Sequence, residues 1–103
     1  MNDHQDFSEW EIKDNPIYQL QLFVAGTSSL SVRAINNLNQ ILVEHLEGKY
    51  ELEVIDVYQQ PKMALEENVA AVPMLVRKFP APYRRLIGDM SDKAKVLRGL
   101  GIK

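Results

Sequence analysis

The side chains best suited to chemistry form a basic cluster in the last quarter of the chain. Its cations are Arg77, Lys78, Arg84, Arg85, Lys93, Lys95 and Arg98. Phe79 and Tyr83 lie among them, and cations interleaved with aromatic rings are typical of nucleic-acid binding. The pI near 5.6 argues against that class, because nonspecific phosphate binding needs a broad positive field. An acidic protein surface fits better as a partner, and the remaining alternative is neutralisation by the protein's own acidic residues, within a chain or across subunits.

The charge of the chain is divided between its two parts. Residues 1–76 contain 4 basic and 12 acidic side chains, whereas residues 77–103 contain 8 basic and 2 acidic ones. The formal net charge of −2 over 103 residues hides this division. An asymmetry of this kind predicts an interaction surface.

Other chemistry is poorly supported by the residues present. The chain has no cysteine, which excludes a disulfide scaffold, a thiolate metal site and dithiol redox chemistry. His4 and His45 have no partner at a metal-ligand spacing, so we expect no metal, no cofactor and no catalytic residue. The chain has two close pairs of carboxylates, Glu51 with Glu53 and Glu66 with Glu67. We expect both pairs to lie on solvated surfaces.

Two local patterns decide the class of protein. No apolar run approaches the roughly 20 residues that cross a bilayer, and the acidic segment 1–16 does not look like a secretory signal. We therefore expect a cytoplasmic protein that binds neither membrane nor nucleic acid. Residues 1–16 are predicted to form an acidic arm, with Phe7, Trp10 and Ile12 as docking points, and residues 17–103 to form one α/β domain.

The first half of that domain has a decided pattern. Residues 17–25 alternate and favour a strand, and Gly26 to Ser29 offers hydroxyl caps for a helix. The predicted helix ends near Gly48, and its apolar face contains Val32, Ile35, Leu38, Leu42 and Leu46. Residues 50–57 favour a second strand. The strand–helix–strand order predicts parallel pairing with a right-handed crossover.

The secondary structure of the second half of the domain is harder to predict. Pro61 favours a short helix over 62–68, and strands are predicted over 74–78 and 83–87 around a proline-rich turn. Ser91 is predicted to cap a last helix over 92–98, which Gly99 and Gly101 would end. The resulting order, βαβαββα, is that of the thioredoxin fold.

In a thioredoxin fold the chemistry lies at the N-terminus of the first helix, where unpaired amides lower a thiol pKa. Here that place is Gly26-Thr27-Ser28-Ser29, which contains no sulfur. A serine hydroxyl there could instead hold the thiolate of glutathione, which gives a second hypothesis of a thiol-binding protein without redox cysteines. The alternative is a plain helix cap. Pro73 follows Val72 where thioredoxin folds place a cis proline.

The sequence also resembles the KaiB family over about residues 17–101. The segments that carry the resemblance are Leu22–Gly26, Ser31–Ala34, Val54–Val57, Ala71–Pro73, Arg84–Ser91, Lys95–Leu97 and Gly99–Leu100. The stretch from Arg84 to Ser91 is the most specific of them.

The resemblance implies a non-enzymatic regulator that binds a KaiC-type hexameric ATPase in circadian or other timing, with KaiA or a histidine kinase as further partners. It also implies two folds of the C-terminal half: a homotetrameric ground state of order βαββααβ and a thioredoxin-like monomer of order βαβαββα. The partner-binding positions that it implies are Arg33, Tyr50, Arg84 and Arg85. The fold-switch positions that it implies are Tyr18, Pro73, Pro80, Pro82, Gly88, Asp89, Gly99 and Gly101.

Overall fold

The computed structural model describes residues 17–102, so the predicted acidic arm with its docking points, and Lys103, lie outside the described residues. Three helices and four strands follow one another in the order βαβαββα. They are β1 (Tyr18–Val24), α1 (Ser29–Leu46), β2 (Tyr50–Asp56), α2 (Pro61–Glu66), β3 (Met74–Phe79), β4 (Arg84–Ile87) and α3 (Lys93–Leu100). This is the predicted thioredoxin-like order, and the described residues do not adopt the alternative βαββααβ order.

The four strands form one mixed sheet with the order β2-β1-β3-β4. The predicted parallel pairing of β1 with β2 is confirmed, with Tyr18 opposite Tyr50 and Val24 opposite Asp56. β3 runs antiparallel to both β1 and β4. The sheet therefore places β2 at one edge and β4 at the other, with the uncharged strand β1 near its centre.

Each face of the sheet has its own apolar core. Helices α1 and α3 cover one face, where Leu38, Leu42 and Leu100 are completely buried against β1 and β3. On the other face, Phe23 and Met74 pack with partly buried residues around the short helix α2. The alternation of β1 explains both cores, because Leu22 points to the first face and Phe23 to the second.

The structure corrects the predicted face of α1. Val32 is 45% exposed, and the buried side of the first turns is formed by Ser31 and Ala34 instead. Ser28 caps the helix, since its hydroxyl accepts a hydrogen bond from the Ser31 amide. Apolar spacing alone misplaces the first turn, because the residue buried there is a serine.

The last helix also differs from its prediction. Asp92 is the N-cap and accepts from the Lys95 amide, whereas the amide of Ser91, the predicted cap, donates to Asp89 Oδ1. Gly99 lies inside α3, and only Gly101 ends it, with a left-handed φ of 78°. Within the described range no helix is long and apolar enough to span a membrane.

Candidate protein-binding site

The hairpin formed by residues 74–87 carries the centre of the basic cluster. Its first strand begins apolar, so Met74, Leu75 and Val76 are buried, and Lys78 is the first of its cations to reach solvent. Its second strand is mostly exposed, including Arg84 and Arg85. The hairpin thus presents two adjacent arginines at the β4 edge of the sheet, one toward each face.

Arg77 belongs to the same basic cluster but is 6% exposed and structural. Its Nη1 donates to the carbonyl oxygen of Leu100 at 2.8 Å. Its Nη2 and Nε donate to the carbonyl oxygen of Pro82 at 2.7 and 3.3 Å. The guanidinium therefore joins the hairpin turn to the last turn of α3, where a cation also suits the helix dipole. One feature of the sequence indicates this role: Arg77 directly follows the apolar residues Met74, Leu75 and Val76 of β3.

Glu67, just after α2, is a residue whose role sequence reasoning missed. It was expected to be solvated, but its side chain is only 15% exposed. One carboxylate oxygen lies 3.1 Å from Lys78 Nζ, and the other accepts the Tyr83 hydroxyl. Its main-chain carbonyl accepts from Arg85 Nη2 at 3.1 Å. The prediction was wrong because these three partners come from the hairpin, which only tertiary packing brings to α2.

A second polar contact ties α1 to the loop before α3. Arg33 Nη1 lies 3.6 Å from Asp89 Oδ2, and Asn37 Nδ2 donates to the Asp89 carbonyl at 2.9 Å. Hydrogen bonds from Ser91, followed by the charge of Arg33, hold the pKa of Asp89 below its ordinary value of 3.8. The Arg33 side chain remains 63% exposed, so it can contact a partner while it pairs with Asp89.

The structure does not bring all four predicted partner-binding residues together. Arg84 and Arg85 are neighbours on β4, and Arg33 lies beside the loop that follows β4. Tyr50 lies on β2 at the opposite edge of the sheet, half-buried against the first core. The predicted site therefore divides into a surface around β4 and a separate position on β2.

The predicted fold-switch positions lie mainly around β3, β4 and α3. Peptide bonds before Pro73, Pro80 and Pro82 are cis, and these prolines flank β3 and its turn. Gly88 and Asp89 lie in the loop after β4, and a Cβ on Gly99 would collide with the side chain of Leu86. Gly101 ends α3 and Tyr18 begins β1, opposite Tyr50.

At the N-terminus of α1, the hydroxyls of Ser28 and Ser31 are committed to internal hydrogen bonds. Ser28 Oγ lies 2.8 Å from Ser31 Oγ, which in turn accepts from the Ala25 amide at 3.0 Å. The Gly26 amide donates to Asp56 Oδ1 at 3.2 Å. This arrangement favours the helix cap over a glutathione site. Among residues 17–102, no group of three or more His, Cys, Asp or Glu side chains is placed to hold a metal ion.

Comparison with known proteins matches residues 21–102 to the KaiB domain model. The circadian clock oscillator protein KaiB of Prochlorococcus marinus strain MIT 9312 is 48% identical over 85 residues, which cover 82% of this chain and 81% of that protein. The KaiB protein of Nostoc punctiforme is 45% identical over 91 residues, covering 88% of each chain. Both alignments extend through most of the described elements.

Solved structures agree on the fold. The N-terminal domain of SasA from Synechococcus elongatus has a TM-score of 0.68 and 28% identity, covering 82% of this chain and 84% of that one. The thioredoxin Deadhead of Drosophila melanogaster has a TM-score of 0.69 at 13% identity, covering 95% and 91%. The latter likeness concerns the thioredoxin-like fold alone.

Proposed function

The chain belongs to the KaiB family, and from this membership we propose that it is a non-enzymatic regulatory protein that binds a KaiC-type hexameric ATPase. The observation that carries the proposal is the family match, which includes both the βαβ half and the hairpin. The curated relatives are named as circadian clock oscillator proteins, which supports a regulatory role in circadian timing.

The surface around β4 supplies a physical means of binding. Within the described residues, no carboxylate lies within 4.0 Å of the charged groups of Arg84 or Arg85. Exposed cations without an internal counter-ion favour an acidic partner surface and speed association with it. Arg33 would extend this surface, whereas Tyr50 would belong to a separate contact. KaiA or a histidine kinase are proposed as further partners in the same assembly.

The proposal includes a second arrangement of the C-terminal half, a homotetrameric ground state in which that half refolds and the whole domain takes the order βαββααβ. Burial between subunits would stabilise such a state by mass action, so its population would rise with protein concentration. Sedimentation from micromolar to millimolar concentration tests this, since a species of constant monomer mass would contradict it. Apart from Tyr18 on β1, the proposed switch positions lie around β3, β4 and α3, in the half that would refold.

The binding proposal is tested with the purified chain and the KaiC-type ATPase from the same organism, incubated for hours before size-exclusion chromatography. We expect co-elution with the hexamer that weakens as salt rises. Arg85→Ala should weaken binding about 10- to 100-fold if this arginine anchors the contact. Lys62→Ala removes another exposed cation, on α2, and serves as the matched control. Absence of co-elution at every salt concentration would refute the proposed function.

A further inference from the structure

Glu67 restrains an aromatic–arginine pair on the hairpin. Its carboxylate accepts the hydroxyl of Tyr83, which fixes the far end of that ring. The guanidinium of Arg85 lies over the same ring, 5.1 Å from its centre. Arg85 Nη2 also donates to the main-chain carbonyl of Glu67. Arg85 is thus held by Glu67 twice, once directly and once through the Tyr83 ring.

The restraint leaves most of the arginine free to bind something else. A guanidinium has five N–H donors, and within the described part of the chain Arg85 uses its Nη2 only. The Glu67 carboxylate pairs with Lys78, so it does not neutralise Arg85, which contacts a carbonyl instead. Arg85 is therefore an exposed planar cation, held in a fixed direction and, within residues 17–102, without a carboxylate in ion-pair range. Planar donors of this kind match a carboxylate in bidentate geometry.

We propose that Glu67 is a positioning residue, which holds Tyr83 and Arg85 in the orientation that receives a carboxylate of an acidic partner surface. This inference rests on the proposed function, because it takes the hairpin as the surface that the partner contacts. Ordering a long side chain before binding removes an entropic cost that binding would otherwise bear. The Glu67 carboxylate therefore raises affinity without touching the partner.

Three substitutions separate this role from simple charge or folding effects. Glu67→Ala removes both the tie to Tyr83 and the pair with Lys78. Glu67→Gln keeps an acceptor for the Tyr83 hydroxyl but loses the pair with Lys78. Tyr83→Phe removes the tie while keeping the ring under Arg85. Glu66→Ala, next to Glu67 on an exposed position, is the matched control.

Binding to the KaiC-type ATPase should weaken about 3- to 10-fold in Glu67→Ala and in Tyr83→Phe. Glu67→Gln should stay within about 2-fold of the parent, and Glu66→Ala should be unchanged. In an Arg85→Ala background, Glu67→Ala should have no further effect. Unchanged or tighter binding in Glu67→Ala, equal losses in the alanine and glutamine variants, or a persistent loss without Arg85 would each overturn the inference.

A measurement on the free protein keeps the inference separate from the proposed function. Nitrogen relaxation of the Arg85 side chain should show larger picosecond-to-nanosecond motion in Glu67→Ala and Tyr83→Phe than in the parent or in Glu67→Gln. If the parent chain does not bind the ATPase at all, the proposed function fails and this measurement decides the positioning role. Equal motion in all variants would overturn that role.

Discussion

Replacing Arg77 tests whether a buried arginine joins the hairpin to the last helix. Arg77→Met fills a similar volume but removes every donor to the carbonyls of Pro82 and Leu100. Hydrogen bonds from a charged group contribute about 1.5–3 kcal/mol each, and a buried carbonyl left alone costs about 1–3 kcal/mol. Water can reach the exposed Pro82 turn, whereas Leu100 is fully buried.

The expected net loss is smaller than the sum of those bonds. No carboxylate of the described residues pairs with Arg77, so burying this cation carries a desolvation penalty that the methionine variant avoids. We therefore expect Arg77→Met to lower the free energy of unfolding by about 2–4 kcal/mol. Arg77→Lys keeps the charge, but one ammonium cannot reproduce the planar fork that spans two carbonyls. Its expected loss is about 1–2 kcal/mol.

Urea denaturation followed by far-UV circular dichroism measures these losses, with the slope of the transition checked for each variant. Arg84→Met is the matched control, because Arg84 pairs with Arg77 across β3 and β4 but is exposed. It should change stability by no more than about 0.5 kcal/mol. The reasoning is refuted if Arg77→Met lies within about 0.5 kcal/mol of the parent. It is also refuted if Arg77→Lys is as stable as the parent, since a lysine cannot bridge both carbonyls.

Two further predictions concern the loop before α3 and the glycine that ends this helix. Because the pKa of Asp89 is lowered, its stabilising effect should be complete above about pH 5 and should disappear as pH falls through the lowered value. The difference in unfolding free energy between the parent and Asp89→Asn should therefore shrink below about pH 4, and a constant difference would contradict the assignment. Gly48 and Gly101 both have positive φ, so alanine at either should cost about 1–2 kcal/mol. Gly101→Ala should lose more free energy of unfolding in urea denaturation than Gly48→Ala. The new Cβ at position 101 would lie 2.9 Å from Arg77 Nη1, whereas a Cβ at position 48 would have no atom within 4 Å. Equal losses would show that the Arg77 side chain moves away at no cost.

The sequence predicts the βαβ half well because its signals are local. Alternation in β1, the hydroxyl before α1 and the glycine after it each act within a few residues. The errors occur where burial depends on distant partners. Val32 fits the apolar spacing of α1 but is exposed to solvent. The hydroxyl of the buried Ser31 instead accepts a hydrogen bond from the Ala25 amide.

The candidate site is less predictable for the same reason. The exposed pair Arg84 and Arg85 could be recognised from charge and family resemblance, but their surroundings could not. Glu67 contacts Tyr83 and Arg85 across 16 and 18 positions of the chain, and no local pattern encodes that approach. Arg77 looks like any other member of the basic cluster until α3 is packed beside it.

The division of charge along the chain is partly neutralised within this fold. Lys78 pairs with Glu67, Lys93 pairs with Glu44, and Arg33 pairs with Asp89, so each ion pair joins a residue before position 77 to one after it. Each of these pairs has at least one solvent-exposed partner, and such pairs contribute about 0–1 kcal/mol each, which is too little to decide the fold. Their larger effect is to determine which cations of the described residues are left without a carboxylate partner, among them Arg84 and Arg85.

Within the described part of the chain Arg84 and Arg85 have no carboxylate in ion-pair range, whereas the other two cations of the hairpin are engaged. Lys78 is engaged by Glu67, and Arg77 is buried under α3. Packing residues 61–102 in another order would separate these partners, and Lys78 and Lys93 would lose the carboxylates that pair with them here. The protein's net charge would be unchanged, but its positive surface would be broader and less directional. A partner that binds Arg84 and Arg85 in their present orientation would therefore distinguish this fold from another packing of the same basic segment.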